Sequence, residues 1–365
     1  MITVSLCMIV KNEEEYIDRC LNSVANAVDE IIIVDTGSTD RTKELCAKYT
    51  DKIYDFNWID DFSAARNSSF SYATMDYILW LDADDILLPE DNARFRELKE
   101  TLDTDISVVM MKYNVSMDQQ GNVTFSYYRE RLVKRAGVFE WKEPVHEYLQ
   151  IKGKTMNSDI AVTHGKSPHE QHSGRNLEIY ENLRKKEIPL TPRGTYYYAR
   201  ELKDNGKMAE AAVMFEAFLD SGLGWKEDNI SACGELARCY QKTNLPEKAL
   251  TALLRSFAYD LPRAELCCQL AYYYKDQKDY ERAAFWFDFI LSLKKPQDSW
   301  GFIQPDCWDY IPLIECAVCY DHLGYYKKAE EYNNKALAVK PGSLSALNNK
   351  IYFEARNNKE DNSNA

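Results

Sequence analysis

Three carboxylates, Asp82, Asp84 and Asp85, lie between two apolar runs in the stretch "ILWLDADDILLP". Asp82 and Asp84 are two residues apart, so they share one side of an extended segment. Hard oxygen ligands at this spacing suit Mg²⁺ or Mn²⁺ that is shared with a diphosphate. Such a cation would neutralise the charge that grows on a diphosphate leaving group. The alternative is that Asp84 and Asp85 cap the helix that follows, and for Asp85 we expect only this role.

Strand and helix patterns alternate through about residue 165, beginning with the apolar runs "TVSLCMIV", "EIIIVD" and "YILWLD". Such alternation predicts a mostly parallel sheet with right-handed crossovers, whose ligands bind beyond the carboxyl ends of the strands. Lys11, Asp35 and Asp82 each follow or end a predicted strand. The Asp35 carboxylate could accept a hydrogen bond from a base N–H such as that of uracil, whereas Asp40 is expected to cap a helix. The glycine-rich patterns that bind dinucleotides or ATP are absent from the sequence.

From about residue 195 the pattern becomes helical and repeats. Two sets of alanines recur twelve residues apart in four segments: Ala199 and Ala211, Ala237 and Ala249, Ala271 and Ala283, Ala317 and Ala329. One of the repeat spacings is 34 residues, the period of a tetratricopeptide repeat, and small residues at such positions let paired helices approach closely. The alternative is an irregular helical bundle. The segment 296–312 is predicted to be a shaped loop before the fourth repeat, and the helix from Ser343 to about Arg356 to cap the stack.

Several segments resemble family 2 glycosyltransferases of the GT-A fold in order and spacing: "SLCMIVKNEEEYIDRCLNSV", "IIIVDTGSTDRT", "FSAARNSSFSYA" and "YILWLDADDILLPE". This resemblance implies that Lys11 and Asn12 line the nucleotide pocket and that Asp35 binds uracil. It also implies that Arg66 lies near the diphosphate. Asp82 would lie near the ribose and the donor sugar, and Asp84 would bind the metal. The chain departs from the family pattern at Cys7 and Lys11, where Pro and Tyr are usual. The resemblance therefore supplies no aromatic ring for stacking on the base.

Four of the five histidines, namely His146, His164, His169 and His172, cluster beside carboxylates in the second part of this domain. In GT-A enzymes a downstream histidine commonly completes the metal shell, and the resemblance implies His164. An inverting transfer needs a carboxylate that takes the acceptor's proton. Glu143 and Glu147 are the candidates, with Glu143 preferred, and His146 is a candidate for binding phosphate or acceptor. A structural role is the alternative for each of these residues.

Composition limits the class of partner. The chain has 365 residues, a net charge of −13 and no dense basic block, which argues against a nucleic-acid partner. The amino-terminal stretch has neither the basic start nor the cleavage site of a leader, and no apolar run is long enough to span a bilayer. Ten cysteines without a secretion signal predict reduced thiols in the cytoplasm. Cys316 and Cys319, with His322, have the spacing of a metal site but lack a second such pair, so we expect them to be structural.

These observations predict an α/β GT-A domain at 1–170, a helical linker at 171–195, a tetratricopeptide domain at 196–356 and a disordered tail at 357–365. The fusion resembles the bacteriocin S-glycosyltransferases. That resemblance implies a hexosyltransferase that uses Mg²⁺ or Mn²⁺ and a UDP-sugar and modifies Cys or Ser/Thr of a peptide or protein. It also implies a homodimer formed through the repeats. The alternatives are an acceptor that is a cell-surface glycan or lipid, or a peptide-binding scaffold with an inactive transferase domain.

Overall fold

The computed structural model describes residues 1–117, 123–137, 139–165, 174–295 and 304–363. The chain divides into two compact units, Met1–Pro189 and Leu190–Ala365. The strands of the first unit are β1 Val4–Val10, β2 Glu30–Asp35, β3 Ile53–Asp55, β4 Tyr77–Trp80, β5 Asp85–Ile86, β6 Ile106–Met117, β7 Val123–Lys134, β8 Glu140–Lys142, β9 Tyr148–Gln150 and β10 Lys154–His164. Its helices are α1 Ile17–Val24, α2 Thr42–Cys46, α3 Phe62–Ser71, α4 Pro89–Thr101 and α5 Arg175–Lys185.

Eight strands form one sheet in the order β3-β2-β1-β4-β7-β6-β10-β5. The first four are parallel, as the alternating pattern predicts, and β10 is parallel to β6. The pairs β4–β7, β6–β7 and β10–β5 are antiparallel, so the sheet is mixed. All six residues of β2 are buried, which is usual for a strand covered on both faces. This arrangement brings the carboxyl ends of β1, β2 and β4 to one edge of the sheet.

Helix α1 covers the sheet with the face that the sequence pattern predicts. Its buried residues are Ile17, Cys20, Leu21 and Val24, which recur at helical spacing and join the core of the strands. Helix α3 begins at a side-chain cap, because the Asp61 carboxylate accepts a hydrogen bond from the Ala64 backbone N–H at 2.9 Å. This cap fixes the start of the helix that carries Arg66.

Three local expectations differ from the structure. Asp85 and Ile86 form the short strand β5 instead of capping a helix, although helix α4 does begin at Pro89, as expected near Pro89 or Glu90. Helix α5 lies in the predicted linker but packs in the first unit, where Tyr180 is fully buried. The last helix continues to Ser363 rather than ending near Arg356, so the backbone of the segment expected to be disordered is helical to that residue.

The second unit consists of paired helices. Their bounds are α6 Pro192–Asp204, α7 Met208–Ser221, α8 Lys226–Lys242, α9 Pro246–Arg255, α10 Ala264–Asp276, α11 Tyr280–Ile290, α12 Tyr310–His322, α13 Tyr326–Val339 and α14 Leu344–Ser363. All eight alanines of the repeat pattern have zero solvent exposure. Each pair places one alanine on its first helix and one on its second. This confirms that the spacing of twelve residues puts a small buried side chain on each helix of a pair. Residues 296–303 of the segment 296–312 lie outside the described residues; in the rest, Pro305–Cys307 form a 3-10 turn and α12 begins at Tyr310.

The cysteines are all buried free thiols. Cys316 and Cys319 lie inside α12, where burial raises the pKa of both thiols, and His322 stacks on Tyr280 with ring centroids 4.1 Å apart. Within the described ranges these three residues are not grouped as ligands of a metal ion. None of the described helices combines the length and apolar character needed to cross a membrane.

Candidate active site

A cavity of about 380 Å³ opens at the carboxyl ends of β1, β2 and β4. It is lined by residues of the strand ends, of α3, of the segment before β9 and of the first turn of α5. The predicted site residues among its lining are Lys11, Arg66, Asp82, Asp84, His146 and Glu147. Residues that come from distant parts of the sequence are therefore collected in one cavity.

Arg66 links two carboxylates in this cavity. Its Nη2 donates to Asp82 Oδ1 at 2.6 Å, and its Nε donates to Glu147 Oε1 at 2.7 Å. The guanidinium also lies over the rings of Trp80 and Trp141, at 5.0 and 4.9 Å from their centroids. Burial alone would raise the pKa of Asp82, but the charges of Arg66, Arg131 and Arg129 and the hydrogen bond from Arg66 together outweigh it and lower that pKa to about 2. Asp82 and Arg66 therefore remain charged at neutral pH.

Arg131 lies behind the candidate site and has no role in the sequence interpretation. Its Nη1 lies 2.9 Å from Asp85 Oδ2 and donates to the Trp80 carbonyl at 3.2 Å, and both charged side chains are fully buried. Asp85 Oδ2 also accepts a hydrogen bond from the Asp82 backbone N–H at 2.9 Å. Asp85 therefore does not cap a helix, and the expectation of a cap is wrong. The pair instead fixes the backbone turn between Trp80 and Asp85 on which the acidic cluster is built.

Asp84, Asp85 and His164 place their ligand atoms within 4.8 Å of one another. The register of β5 and β10 explains this grouping, because His164 pairs directly with Asp85. His164 Nδ1 lies 3.6 Å from Asp84 Oδ1 and 3.1 Å from the Tyr113 hydroxyl. Asp85 Oδ1 is buried and has no hydrogen-bond partner among the described residues. An imidazole nitrogen and hard carboxylate oxygens are a donor set that suits Mn²⁺ or Mg²⁺, so these residues fit a divalent cation.

The end of β2 forms a second polar region. Asp35 is 2% exposed, and its Oδ2 accepts hydrogen bonds from the backbone N–H groups of Gly37 at 3.1 Å and Ser38 at 3.0 Å. Its Oδ1 has no hydrogen-bond partner in the described part of the chain. Asn12 adopts a left-handed backbone with φ 54°, and its Oδ1 accepts from the Thr39 N–H at 2.8 Å. Asn12 therefore ties the loop after β1 to the loop after β2, while Lys11 is exposed on the cavity wall.

The candidate residues between β8 and β9 differ in whether they line the cavity. His146 and Glu147 line the cavity, but Glu143 is not among its lining residues. Glu143 and His146 have φ values of 73° and 54°, an uncommon left-handed conformation for residues with side chains. His169 and His172 lie outside the described residues, so their predicted clustering is left as a prediction.

Residues 5–164 match the family profile described as Glycosyl transferase family 2, and residues 264–295 and 316–343 match the tetratricopeptide repeat profile. The first unit thus carries a family 2 glycosyltransferase domain, and the second carries tetratricopeptide repeats. The resemblance to family 2 glycosyltransferases and the prediction of tetratricopeptide repeats are both confirmed. The fold class predicted from the sequence, an α/β domain followed by an all-α repeat domain, is confirmed as well.

Among curated proteins, a TPR repeat-containing protein of Synechococcus elongatus is 41% identical over 149 residues, which are 41% of this chain and 36% of that protein. The prophage-derived glycosyltransferase SunS of Bacillus subtilis is 28% identical over 221 residues, which are 57% of this chain and 51% of SunS. The chain thus spans between about a third and a half of the length of these relatives. A solved structure titled as YrrB, a TPR protein with an unusual peptide-binding site, aligns with 48% of this chain and 82% of its own at 20% identity and a TM-score of 0.37.

Proposed function

We propose that this chain is a metal-dependent inverting glycosyltransferase that moves a sugar from a UDP-sugar to a Cys or Ser/Thr side chain of a peptide or protein. The observation that carries the proposal is the cavity of the family 2 domain, which gathers Lys11, Arg66, Asp82, Asp84 and Glu147 at the carboxyl ends of the parallel strands. Ligands of open α/β sheets bind at this edge.

The donor would bind through the groups at the ends of β1 and β2. The buried Asp35 Oδ1 has no partner among the described residues and can accept a base N–H. Lys11 and Arg66 bring positive charge to the cavity wall, which favours a diphosphate. Asp82, held by Arg66, can accept hydrogen bonds from ribose or sugar hydroxyl groups.

The metal would be held by Asp84 and His164, with the Oδ1 of Asp85 as a further oxygen beside them. When bound, such a cation supplies charge neutralisation for the leaving diphosphate. Tyr113 orients the imidazole of His164 through the contact with Nδ1. Residues that fix the orientation of a ligating histidine commonly affect metal affinity.

Inversion requires a base on the face of the sugar opposite the leaving group. The acceptor sulfur or oxygen forms a bond to the anomeric carbon, its proton passes to a carboxylate, and the bond to the β-phosphate oxygen breaks, so UDP leaves with the electron pair. We assign the base to Glu147 rather than Glu143, because Glu147 lines the cavity beside His146. Its ion pair with Arg66 fixes the position of its carboxylate.

The acceptor is proposed to be a polypeptide because the repeats of the second unit build the extended surfaces that bind peptides in this class of domain. The repeats are also the part of the chain through which we propose a homodimer. The ten buried free thiols are consistent with a reducing compartment, and we propose that the protein acts in the cytoplasm.

The test is UDP release from a panel of UDP-sugars in the presence of Mn²⁺. We expect one donor to be hydrolysed slowly without acceptor, and both EDTA and Asp84→Asn to abolish this release. Asp51→Asn, a change of the same kind at an exposed residue of the same domain, should leave release unchanged. If the wild-type protein neither releases UDP nor binds any UDP-sugar by calorimetry with Mn²⁺ present, the proposed function is wrong.

A further inference from the structure

We infer that Trp58 is the surface on which the nucleobase of the donor stacks; this inference rests on the proposed function and identifies how its nucleotide is recognised. Trp58 lies between β3 and α3, lines the cavity together with Lys11 and Thr36, and is half-buried. The sequence interpretation gave it no role.

Trp58 lies on the side of the cavity where the base is expected. Two residues before it, the Phe56 backbone N–H donates to the Asp35 carbonyl at 2.8 Å, so the loop that carries Trp58 starts beside Asp35. Thr36, the neighbour of Asp35 in sequence, lines the same cavity. A base that donates an N–H to Asp35 is therefore within the region that the Trp58 ring borders.

The other Trp and Phe residues of the cavity lining, Trp80 and Phe62, already have cations over their rings, and the His146 ring stacks on Tyr180. Trp80 is 1% exposed, and the guanidinium groups of Arg66, Arg129 and Arg131 lie 3.9–5.0 Å from the centroid of its ring. The guanidinium of Arg175 lies over the Phe62 ring, 4.7 Å from its centroid. Among the described residues, no cation is placed over the Trp58 ring in this way, so its face can accept a planar ligand.

The indole of Trp58 is held in place by its own loop. Its Nε1–H donates to Asp60 Oδ1 at 2.9 Å, and the Phe62 ring meets it in an edge-to-face arrangement with centroids 4.7 Å apart. Asp60 adopts φ 60°, a left-handed conformation that aspartate tolerates better than most residues. Because the indole N–H is already hydrogen-bonded within the loop, a ligand would contact the face of the ring and not its N–H. A fixed ring loses little entropy when a base stacks on it.

Stacking on an aromatic ring tolerates any base, and its removal commonly weakens binding by a factor of about ten to a hundred. Lys11 has no ring to offer on this wall of the cavity. Trp58, in the loop that starts beside Asp35, offers one. Asp35 would then accept a hydrogen bond from an N–H of the base, and Trp58 would stack on the face of the base.

Calorimetry with Mn²⁺ tests this with four probes: UDP, uridine, inorganic pyrophosphate and the UDP-sugar that gives release. We expect Trp58→Leu to weaken UDP and uridine binding about tenfold or more and to leave pyrophosphate binding unchanged. Trp58→Phe, which keeps a ring, should retain most of the affinity. Asp60→Gly keeps the left-handed backbone but loses the acceptor for the indole N–H, so it should weaken UDP binding less than Trp58→Leu. Asp60→Asn, which keeps a carbonyl oxygen, should be close to wild type.

The outcomes separate this inference from the proposed function. Wild-type protein that binds UDP, together with a Trp58→Leu variant of unchanged UDP affinity, overturns the stacking role alone. A loss seen with the UDP-sugar but not with UDP would assign Trp58 to the sugar and also overturn it. Wild-type protein that binds neither UDP nor uridine refutes both statements.

Discussion

Arg131 and Asp85 form a buried ion pair, with Nη1 and Oδ2 2.9 Å apart and side chains at most 1% exposed. Neither residue lines the cavity. However, Asp85 accepts a hydrogen bond from the Asp82 backbone N–H, and Arg131 donates one to the Trp80 carbonyl. The pair therefore acts on the site through the backbone of residues 80–85. Through these bonds the pair positions the residues that we propose to meet the nucleotide, while Asp85 Oδ1 stays the further oxygen proposed for the metal.

Arg131→Met should lower the free energy of unfolding by about 3–5 kcal/mol, because it leaves the Asp85 carboxylate buried without its partner. Denaturant unfolding measures this. The double variant Arg131→Met/Asp85→Leu removes both charges and should recover a large part of the loss. If the double variant is as unstable as the sum of the two single changes, the ion pair is not the reason for the loss.

Tyr113→Phe should weaken Mn²⁺ binding about tenfold, because the hydroxyl no longer orients His164. Tyr113 is largely buried, and the ring itself is kept, so the fold should be preserved. Titration of Mn²⁺ followed by electron paramagnetic resonance measures the affinity directly. Tyr72→Phe removes a hydroxyl at the end of α3, where Tyr72 stacks on Tyr54, and serves as the matched control. Equal Mn²⁺ affinity in both variants would contradict the positioning role of Tyr113.

Much of the site could be predicted from local sequence. Lys11, Asp35 and Asp82 were expected at strand ends because short apolar runs stop there, and the structure places them so. The buried alanines of the repeats were equally visible, because their spacing is set within each helix pair. In both cases the information lies in a few neighbouring residues, where periodicity and turn residues determine the local structure.

The remaining features depend on pairings between distant segments. His164 lies beside Asp85 because β10 runs antiparallel to the two-residue strand β5, and no local pattern specifies that register. Arg131 is recognisable only as an arginine within a strand, and its partner Asp85 is 46 residues earlier in the chain. The choice between Glu143 and Glu147 likewise depends on how the segment between β8 and β9 turns, with left-handed residues at Glu143 and His146.

Glu30 should contribute stability that depends on pH. Burial raises the pKa of this carboxyl group, but hydrogen bonds from Lys52, Ser5 and Thr74 outweigh it and lower the pKa to about 2. Because the folded-state pKa lies below the usual value of 4.5, the contribution is complete above about pH 4.5 and is lost as the pH falls towards 2. Glu30→Gln should therefore reduce the free energy of unfolding by on the order of 2–3 kcal/mol at pH 7.

The difference between wild type and Glu30→Gln should shrink as the pH is lowered from 5 towards the acid limit of the folded state. Denaturant unfolding at several pH values measures it. Glu44→Gln, at an exposed position on α2, gives the control for a simple change of net charge. A difference that stays constant from pH 7 down to pH 3 would show that the hydrogen bonds of Glu30 do not depend on its charge.

The repeat helices offer a comparison within one element, because α7 carries Ala211 at zero exposure and the exposed Ala209 two residues before it. Ala211→Leu forces three more carbon atoms into the contact between α6 and α7 and should lower the free energy of unfolding by about 1–3 kcal/mol. Ala209→Leu makes the same chemical change on the solvent side, where leucine is nearly as good a helix former as alanine, and should change stability by less than about 0.5 kcal/mol. Circular dichroism during urea unfolding reports both. Equal effects would mean that close approach of the two helices is not what requires alanine at position 211.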